Sequence, residues 1–364
     1  MHVAIFTMSM TKGGTERVIS NLCNEYLIKK YEVSIVTYLK YSSEYQLDER
    51  IQTFSLDAGR SESRLGKILE IITAGEKYAK LMQGIKADII LAFLPRPCLL
   101  ACIMYKKTGI PLIGSYRSNP EYDMSNPMTS FLVRMLYNRA DGFVFQTSQA
   151  RDFFYKKLRR KSKIIMNPVN KKSVREPYKG ERSKRIVSVG RITEEKNYPL
   201  LIRAFASLDK AFEEYTLWIY GKHDDSLRIK ELAESLGVAD RVVFAGQTED
   251  IYNAIYDASL FVLSSKSEGV PNALMEAMAM GLPVIATDCP CGGPKVLIQN
   301  GINGMLVPNE DEEALVNTMN EMLADGGRAL QMGESAKEIG VRYSGEKIYR
   351  EWEDYILSVV SESI

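Results

Sequence analysis

The order of apolar and amphipathic segments constrains the fold of this chain more than any other feature. Short, continuously apolar runs alternate with longer segments that repeat apolar residues at helical spacing. Strands that are apolar throughout and separated by helices are typical of parallel sheets with helices on both faces. The predicted strands are residues 3–7, 33–38, 88–94, 111–115, 142–146 and 163–166, then 185–189, 216–220, 241–245, 259–263, 283–287 and 304–307. The predicted helices include residues 15–30, 198–212, 226–236, 272–280 and 311–323.

The strand-and-helix pattern occurs twice, and 364 residues are too many for one ordinary core. We therefore predict an α/β chain with two doubly wound domains, residues 1–167 and 184–344. A polar stretch over residues 168–183, rich in Lys and Arg, is the predicted linker. A last amphipathic helix is predicted within residues 345–364.

Composition excludes several classes of protein. The net charge of +1, with 45% hydrophobic and 26% charged residues, argues against general nucleic-acid binding. The chain enters its first apolar run without a basic segment, so we expect no signal peptide. The apolar stretch 87–104 contains Pro95 and Pro97, so we expect no membrane span there. Five scattered cysteines and two histidines indicate reduced cytoplasmic thiols and argue against a zinc site.

Residues 267–276 form the most informative motif, because they place Glu268 and Glu276 on either side of a predicted helix start. Glu268 lies in a turn bounded by Gly and Pro, where its side chain can face a ligand. Pro271 suits the first helical position, and the amides after it lie at the positive end of the helix dipole. Glu276 can accept hydrogen bonds from two neighbouring hydroxyls. The combination favours a nucleotide-sugar site, and the alternative is two solvated surface carboxylates.

Two more turns at the carboxyl ends of predicted strands carry groups suited to anions. In open parallel sheets, ligands bind beyond those strand ends. Gly13 and Gly14 follow the first strand and let the backbone approach a ligand. Arg191 and Lys196 follow strand 185–189, and both can reach one anion. The alternative is that these two cations pair with the glutamates between them.

The run EGVPNALME at 268–276 and the run GLPVIAT at 281–287 resemble the E-x7-E element and following strand of retaining GT-B glycosyltransferases, in particular the group 1 family. The segments at 13–16, 189–191 and 300–307, together with Lys196, are similar as well. The resemblance covers nearly the whole chain. It implies two facing Rossmann-like domains with the active site in the cleft, and a last helix that crosses back to the first domain.

The resemblance also implies roles for individual residues. Arg191 and Lys196 would neutralise the diphosphate as its bond to the sugar breaks. Glu268 would hold the donor sugar and favour positive charge at its anomeric carbon, and Glu276 would bind the ribose hydroxyls. These roles make Glu268, Arg191 and Lys196 the predicted catalytic residues. The other predicted donor-binding positions, several acting through backbone amides, are Gly14, Gly190, Gly269, Val270, Pro271, Asn272 and Ala273.

The predicted acceptor or sugar-binding residues are Gly13, Arg117 and Asn119. Many relatives place a histidine after the fourth strand of the first domain, whereas residues 114–121 contain none. We expect Arg117 or Asn119 to occupy that space, with Arg117 able to grip an anionic acceptor. His223 follows the strand at 216–220 and lies either near the nucleotide or in solvent. Val296 stands where the family often has a carboxylate.

The segment 156–163, which we call the basic segment, has six cations in eight residues and follows three aromatic residues. It predicts docking on anionic lipid, and the alternative is a solvated helix end. With the acceptor class that the resemblance suggests, it indicates a cytoplasmic protein attached peripherally to the inner face of the cell membrane.

The predicted function is retaining transfer of a hexose-type sugar from a nucleoside-diphosphate sugar, with a UDP-sugar favoured. The expected acceptor is a glycan or lipid-linked glycan in surface polysaccharide or oligosaccharide assembly, and no metal or other cofactor is expected. One alternative is a nucleotide-sugar epimerase of the same fold, which would need a carboxylate pair and a histidine at the anomeric centre. Another is a non-catalytic GT-B partner subunit, which would usually lose Glu268, Glu276, Arg191 or Lys196.

Overall fold

The computed structural model describes residues 1–11, 13–59, 63–222 and 228–363, which form two compact units. Unit 1 consists of Met1–Asn167 together with Glu346–Ile364, and unit 2 consists of Pro168–Gly345. Each unit is an α/β body built on one parallel sheet. The predicted α/β class with two doubly wound sheets is therefore confirmed.

The sheet of unit 1 has seven strands in the order β3-β2-β1-β4-β5-β6-β7, and every pairing is parallel. All six strands predicted for this half are present. The additional strand is β3 at the sheet edge, where its polar, partly exposed residues leave no apolar run in the sequence. The strands are β1 His2–Thr7, β2 Glu32–Thr37, β3 Gln52–Ser55, β4 Ile89–Phe93, β5 Leu112–Ser115, β6 Gly142–Phe145 and β7 Ser162–Ile164.

Helices cover both faces of this sheet, as its apolar strands require. The predicted helix 15–30 starts one residue earlier, and a π-helical turn over Leu22–Leu27 interrupts it. The helices are α1 Gly14–Asn21, α2 Ile28–Lys30, α3 Arg64–Ile85, α4 Pro95–Thr108, α5 Pro120–Asp123, α6 Pro127–Tyr137, α7 Ser148–Asp152 and α8 Lys156–Arg160. The apolar stretch 87–104 forms β4 and most of α4.

The last helix, α17 Gly345–Ser363, completes the core of unit 1. The ring centroid of its Trp352 lies 5.5 Å from that of Phe93, at the end of β4. The hydroxyl of Tyr355 accepts the N–H of Phe143 in β6 at 2.8 Å. These contacts bind the C-terminal segment to β4 and β6, two interior strands of the sheet.

The sheet of unit 2 has six parallel strands in the order β10-β9-β8-β11-β12-β13. All six were predicted, with bounds that differ by at most two residues. They are β8 Ser183–Val189, β9 Thr216–Tyr220, β10 Val242–Gly246, β11 Ala258–Leu263, β12 Val284–Asp288 and β13 Met305–Pro308.

The helices of unit 2 correct two local predictions. The predicted helix 198–212 ends at Ala206, and a 3-10 turn follows at Lys210–Phe212. Pro271 is not the first helical residue but the N-cap, because α12 starts at Asn272. The helices are α9 Tyr198–Ala206, α10 Ile229–Ser235, α11 Ile251–Ile255, α12 Asn272–Ala279, α13 Gly293–Leu297, α14 Glu312–Ala324, α15 Gly326–Ala336 and α16 Glu338–Arg342.

The strand orders locate the switch point of each sheet. In unit 2 the chain runs outward from β8 through β9 to β10 on one side, and from β11 to β13 on the other. In unit 1 the same change of direction occurs between β1 and β4. Ligands of doubly wound sheets bind at the carboxyl ends of such strands. The loops after β1, β8 and β11 therefore hold the positions to inspect.

The sequence also led to expectations about a membrane span and about the state of the cysteines. Across the residues for which coordinates are described, no helix is long and apolar enough to cross a bilayer. The five cysteines are all buried and free, in agreement with the prediction that they are reduced core residues.

Candidate active site

The turns after β8 and β11 are joined by two hydrogen bonds, both to backbone carbonyls of the first turn. The N–H of Lys266 donates to the carbonyl of Glu195 at 2.7 Å. The hydroxyl of Ser264 donates to the carbonyl of Lys196 at 3.0 Å. The two sequence-distant turns thus form one continuous wall at the switch point of unit 2.

Lys196 and Glu268 meet on this wall as an ion pair between Nζ and Oε1. The hydroxyl of Ser265 donates to the same carboxylate oxygen at 2.7 Å. The lysine and glutamate side chains are only 22% and 12% exposed, so water screens their attraction weakly. The fold therefore holds an ammonium and a carboxylate in contact at the start of α12.

Gly190 makes room for the stem of Lys196. A Cβ atom at Gly190 would lie 3.3 Å from Cε of Lys196 and 3.2 Å from the hydroxyl oxygen of Tyr198. That hydroxyl donates to the carbonyl of Gly190 at 3.0 Å. The carbonyl is also approached by Gly221, whose Cβ would lie 1.8 Å from it. The glycine after β8 thus serves close packing beneath Lys196.

The loop between β12 and α13 holds the backbone of Glu268, which the sequence did not reveal. The N–H of Glu268 donates to the carbonyl of Pro290 at 2.8 Å, and the N–H of Cys291 donates back to the carbonyl of Glu268 at 3.1 Å. A Cβ atom at Gly293 would lie 1.5 Å from the carbonyl oxygen of Gly269. The sequence did contain a glycine pair before Pro294, and glycine permits two backbone segments to come this close.

Burial dominates the chemistry of Cys289 beside this loop. It raises the pKa of the thiol to about 12, and the charge of Glu268 contributes in the same direction. The group is therefore a neutral thiol at physiological pH.

The start of α12 carries several more of the predicted donor-binding positions. Gly269 and Val270 precede the N-cap, whereas Asn272 and Ala273 are the first two helical residues. The helical ladder begins when the N–H of Met275 donates to the carbonyl of Pro271 at 3.1 Å. Backbone amides at this end carry the positive end of the helix dipole.

Glu276 lies in the second turn of α12 and is buried. A buried carboxylate is not the solvated surface group of the alternative interpretation. Arg191, by contrast, is exposed, and among the residues with described contacts it forms no ion pair. The structure therefore brings Lys196 to Glu268 and leaves Arg191 at the surface of the same turn.

In unit 1, the loop after β1 is fixed by Tyr45, a residue that the sequence did not single out. The N–H of Gly13 donates to the Tyr45 hydroxyl at 3.0 Å, and that hydroxyl donates to the carbonyl of Gly13 at 2.7 Å. Gly13 caps α1, and Gly14 is its first residue. A Cβ atom at Gly13 would lie 2.2 Å from Oε2 of Glu16, so the acid covers this glycine closely.

Arg117 lies buried beyond the carboxyl end of β5. Its Nη1 donates to Oδ1 of Asn167 at 2.5 Å, and its guanidinium lies 5.2 Å from the ring centroid of Phe93. Burial lowers the pKa of the guanidinium to about 10, although the charge of Glu16 acts in the opposite direction. Its Nη2 atom is buried and has no hydrogen-bond partner among the described residues. Such a group favours an added anionic or polar ligand.

Asn119 has a local role in the structure. Its Oδ1 accepts the N–H of Glu121 at 3.0 Å and caps α5.

Val296 lies on α13 and is 37% exposed. His223 lies outside the described residues. A search of those residues for three or more His, Cys, Asp or Glu side chains placed to hold a metal ion finds none.

Solved structures establish the fold class. The chain superposes on sucrose-phosphate synthase from Thermosynechococcus elongatus with a TM-score of 0.85 at 19% identity, covering 99% of each chain. It superposes on Anabaena HepE in complex with UDP with a TM-score of 0.82 at 17% identity, covering 98% of this chain and 100% of the other. The protein has the GT-B fold of glycosyltransferases.

Sequence comparison also points to glycosyltransferases. Residues 170–339 match the model of the glycosyl transferases group 1, and residues 12–172 match that of glycosyltransferase family 4. The two matches together span most of the chain, so each half resembles a glycosyltransferase family.

One relative over the full length is the Campylobacter jejuni protein named GalNAc-alpha-(1->4)-GalNAc-alpha-(1->3)-diNAcBac-PP-undecaprenol alpha-1,4-N-acetyl-D-galactosaminyltransferase. It is 28% identical over 364 residues, covering 99% of each chain. An uncharacterized glycosyltransferase of Haemophilus influenzae is 24% identical over 351 residues, covering 96% of this chain and 98% of the relative.

Proposed function

We propose that this glycosyltransferase moves a hexose-type sugar from a nucleoside-diphosphate sugar, preferably a UDP-sugar, to a glycan or lipid-linked acceptor with retention of configuration. The observation that carries the proposal is the contact of Lys196 with Glu268 at the start of α12. It joins a cation suited to phosphate and a carboxylate suited to sugar hydroxyls at one strand edge.

The departing diphosphate is the first group that the site must stabilise. Lys196, with Arg191 from the same turn, would neutralise the charge that develops as the bond between phosphate and sugar breaks. One such contact typically contributes about 2–4 kcal/mol to the transition state. The ion pair with Glu268 holds the ammonium in place before the donor arrives, which limits the reorganisation needed during the reaction.

The sugar, the ribose and the phosphates of the donor each have a proposed binding partner among the predicted positions. Glu268 would bind sugar hydroxyls and favour positive charge at the anomeric carbon, and Glu276 would accept hydrogen bonds from the ribose. Backbone groups at the predicted glycines and at the start of α12 would contact phosphate oxygens. The UDP complex of HepE supports a uridine nucleotide.

The acceptor would bind at unit 1 through Gly13, Arg117 and Asn119. The buried Nη2 of Arg117 supports an anionic or strongly polar acceptor group, because this donor has no partner in the part of the chain that the structure describes. The name of the Campylobacter jejuni relative specifies a diphospho-undecaprenol-linked glycan and an alpha linkage. We extend that acceptor class to this chain and place the reaction in surface glycan assembly on the cytoplasmic side of the membrane.

The proposed chemistry needs no separate base or metal. The acceptor hydroxyl attacks the anomeric carbon from the face that the diphosphate leaves. Its proton passes to the departing phosphate oxygen, so one C–O bond forms, one breaks and the proton is accounted for.

Thermal unfolding with a panel of nucleotides and nucleotide sugars tests the donor site, with Glu276→Ala beside the wild type. Binding stabilises the folded state by about 2.7 kcal/mol when free ligand is at a hundred times its dissociation constant. We expect a shift with uridine nucleotides that the variant loses. No shift with any nucleotide would refute the donor site and favour a non-catalytic partner subunit.

A further inference from the structure

We propose that unit 1 docks on an anionic lipid bilayer through an exposed apolar stripe on α6 and the cations beside it. The basic segment alone suggested a membrane from the sequence. The structure shows that not all six of its cations face solvent freely. Lys161 is half-buried and donates to the carbonyl of Asn138 at 2.8 Å. Arg159 approaches the carboxylate of Asp152 at 3.4 Å.

The apolar stripe lies on one face of α6. Its residues recur at intervals of three and four, the spacing of a single helix face. The exposed fractions are 75% for Met128, 53% for Phe131, 51% for Leu132 and 52% for Met135. Ser130, Val133 and Tyr137 face the core instead and are buried. The helix is therefore apolar on the side that meets solvent as well as on the side that packs.

Two contacts place the basic segment next to α6. Lys161 bonds to Asn138, which is the C-cap of α6. The guanidinium of Arg134 on α6 lies 4.1 Å from the ring centroid of Tyr155, the residue before α8. Elements that adjoin α6 thus carry the exposed cations of the segment, which are Lys156, Lys157, Arg159, Arg160 and Lys163.

The positive charge beside the stripe favours anionic lipid as the binding partner of this surface. The helix Pro127–Tyr137 contains no Asp or Glu, and its one charged residue is Arg134. Large apolar side chains flanked by lysine and arginine match the boundary between acyl chains and anionic headgroups. Each cation near such a surface is attracted by the negative potential of the anionic headgroups. A second copy of this surface would bring like charges together, which disfavours self-association.

Co-sedimentation of the full chain with vesicles tests the surface. The vesicles contain phosphatidylcholine alone or phosphatidylcholine mixed with phosphatidylglycerol. We expect binding only to the mixed vesicles. Phe131→Gln with Leu132→Gln should weaken it at least tenfold, and Lys156→Gln with Lys157→Gln should weaken it on the order of tenfold.

Matched variants in unit 2 serve as controls. Leu330→Gln removes an exposed leucine, and Lys179→Gln with Lys210→Gln removes two exposed lysines, and both should bind vesicles like the wild type. Circular dichroism checks folding, and Met128→Gln at the most exposed stripe position provides a second apolar test.

Three outcomes would overturn the proposal. The first is equal binding to neutral and mixed vesicles, and the second is wild-type binding by the stripe variants. The third is the absence of binding to the mixed vesicles. Self-association that Phe131→Gln with Leu132→Gln abolishes would then assign the stripe to a second copy. Nucleotide-induced stabilisation measured without vesicles should be unchanged in these variants.

Discussion

Because Lys196 and Glu268 form an ion pair, substituting either residue should affect both substrate binding and local stability. Each charge is largely removed from water and balanced by the other. Removing either partner leaves a poorly solvated charge behind, so the loss of a substrate contact is combined with local destabilisation. Glu276 is buried on α12, and its proposed partner is the nucleotide rather than the reacting carbon.

We expect Glu268→Ala and Glu276→Ala to differ in kinetics. Glu268→Ala should lower kcat by about a hundredfold to a thousandfold and change nucleotide affinity less, because its contact strengthens in the transition state. Glu276→Ala should weaken nucleotide binding by roughly tenfold to a hundredfold, the effect of losing hydrogen bonds to a charged group. Steady-state kinetics and calorimetric titration measure both effects.

Glu249→Ala removes an exposed carboxylate of unit 2 and is the matched control, expected to behave as the wild type. Equal, near-wild-type values for Glu268→Ala and Glu276→Ala would refute the assigned roles.

Gly293→Ala tests the loop that supports Glu268. A methyl group there would lie 1.5 Å from the carbonyl oxygen of Gly269, so one of the two loops must move. We expect a loss of about 1–3 kcal/mol in the free energy of unfolding, the usual cost of overpacking, and a reduced kcat. Chemical denaturation and kinetics give the two quantities.

Gly327→Ala is the control for this substitution. Its nearest neighbour to a new Cβ would be Oδ1 of Asp325 at 3.6 Å, and the position is helical. It should leave stability unchanged or raise it by up to about 1 kcal/mol. A Gly293→Ala protein as stable and active as this control would contradict the packing argument.

At the scale of elements, α17 is bound to the sheet of unit 1 by polar as well as apolar contacts. Glu353 meets Nζ of Lys30 at 3.0 Å and the hydroxyl of Tyr31 at 2.8 Å. The Tyr355 hydroxyl accepts from Phe143 and donates to the carbonyl of Lys161 at 2.5 Å. A helix at the end of the chain is thereby part of the core.

Tyr355→Phe should lower the free energy of unfolding by about 1–2 kcal/mol, because the substitution removes buried hydrogen bonds and keeps the ring. Denaturant unfolding of the full chain measures the change. Glu351→Gln changes an exposed residue of the same helix and should stay within about 0.5 kcal/mol of the wild type. A larger loss in Glu351→Gln than in Tyr355→Phe would show that the buried hydroxyl does not secure this helix.

Elements were predicted where one pattern dominates a segment. The twelve predicted strands are apolar enough to stand out, whereas the edge strand β3 is polar and was missed. The π-helical turn in helix 15–30 leaves the apolar spacing nearly unchanged, so no sequence signal marked it. For the candidate site, local motifs singled out Lys196 and Glu268, which the structure brings into contact. They did not single out Tyr45 or the Pro290 carbonyl, because those contacts join distant segments.

At the scale of the whole molecule, the proposed reaction makes a stereochemical prediction. Front-face attack preserves the anomeric configuration, so an alpha-linked donor sugar should give an alpha-linked product in NMR spectra of the first turnover products. The rate should be unchanged by a divalent-metal chelator, since the positive charges of Arg191 and Lys196 are proposed to balance the diphosphate. A beta-linked product from that donor would refute the mechanism, and chelator-sensitive turnover would refute its metal independence.

Unit 1 is built from two separate stretches of the chain, residues 1–167 and residues 346–364, and this affects its synthesis on the ribosome. The first unit to be translated lacks the helix that holds Trp352 and Tyr355 until residues 346–364 emerge. Unit 2 is contiguous, and all of its strands have been translated before that helix. The half that is made first is therefore completed last, and a ribosome that stops before residue 346 releases an unfinished N-terminal half.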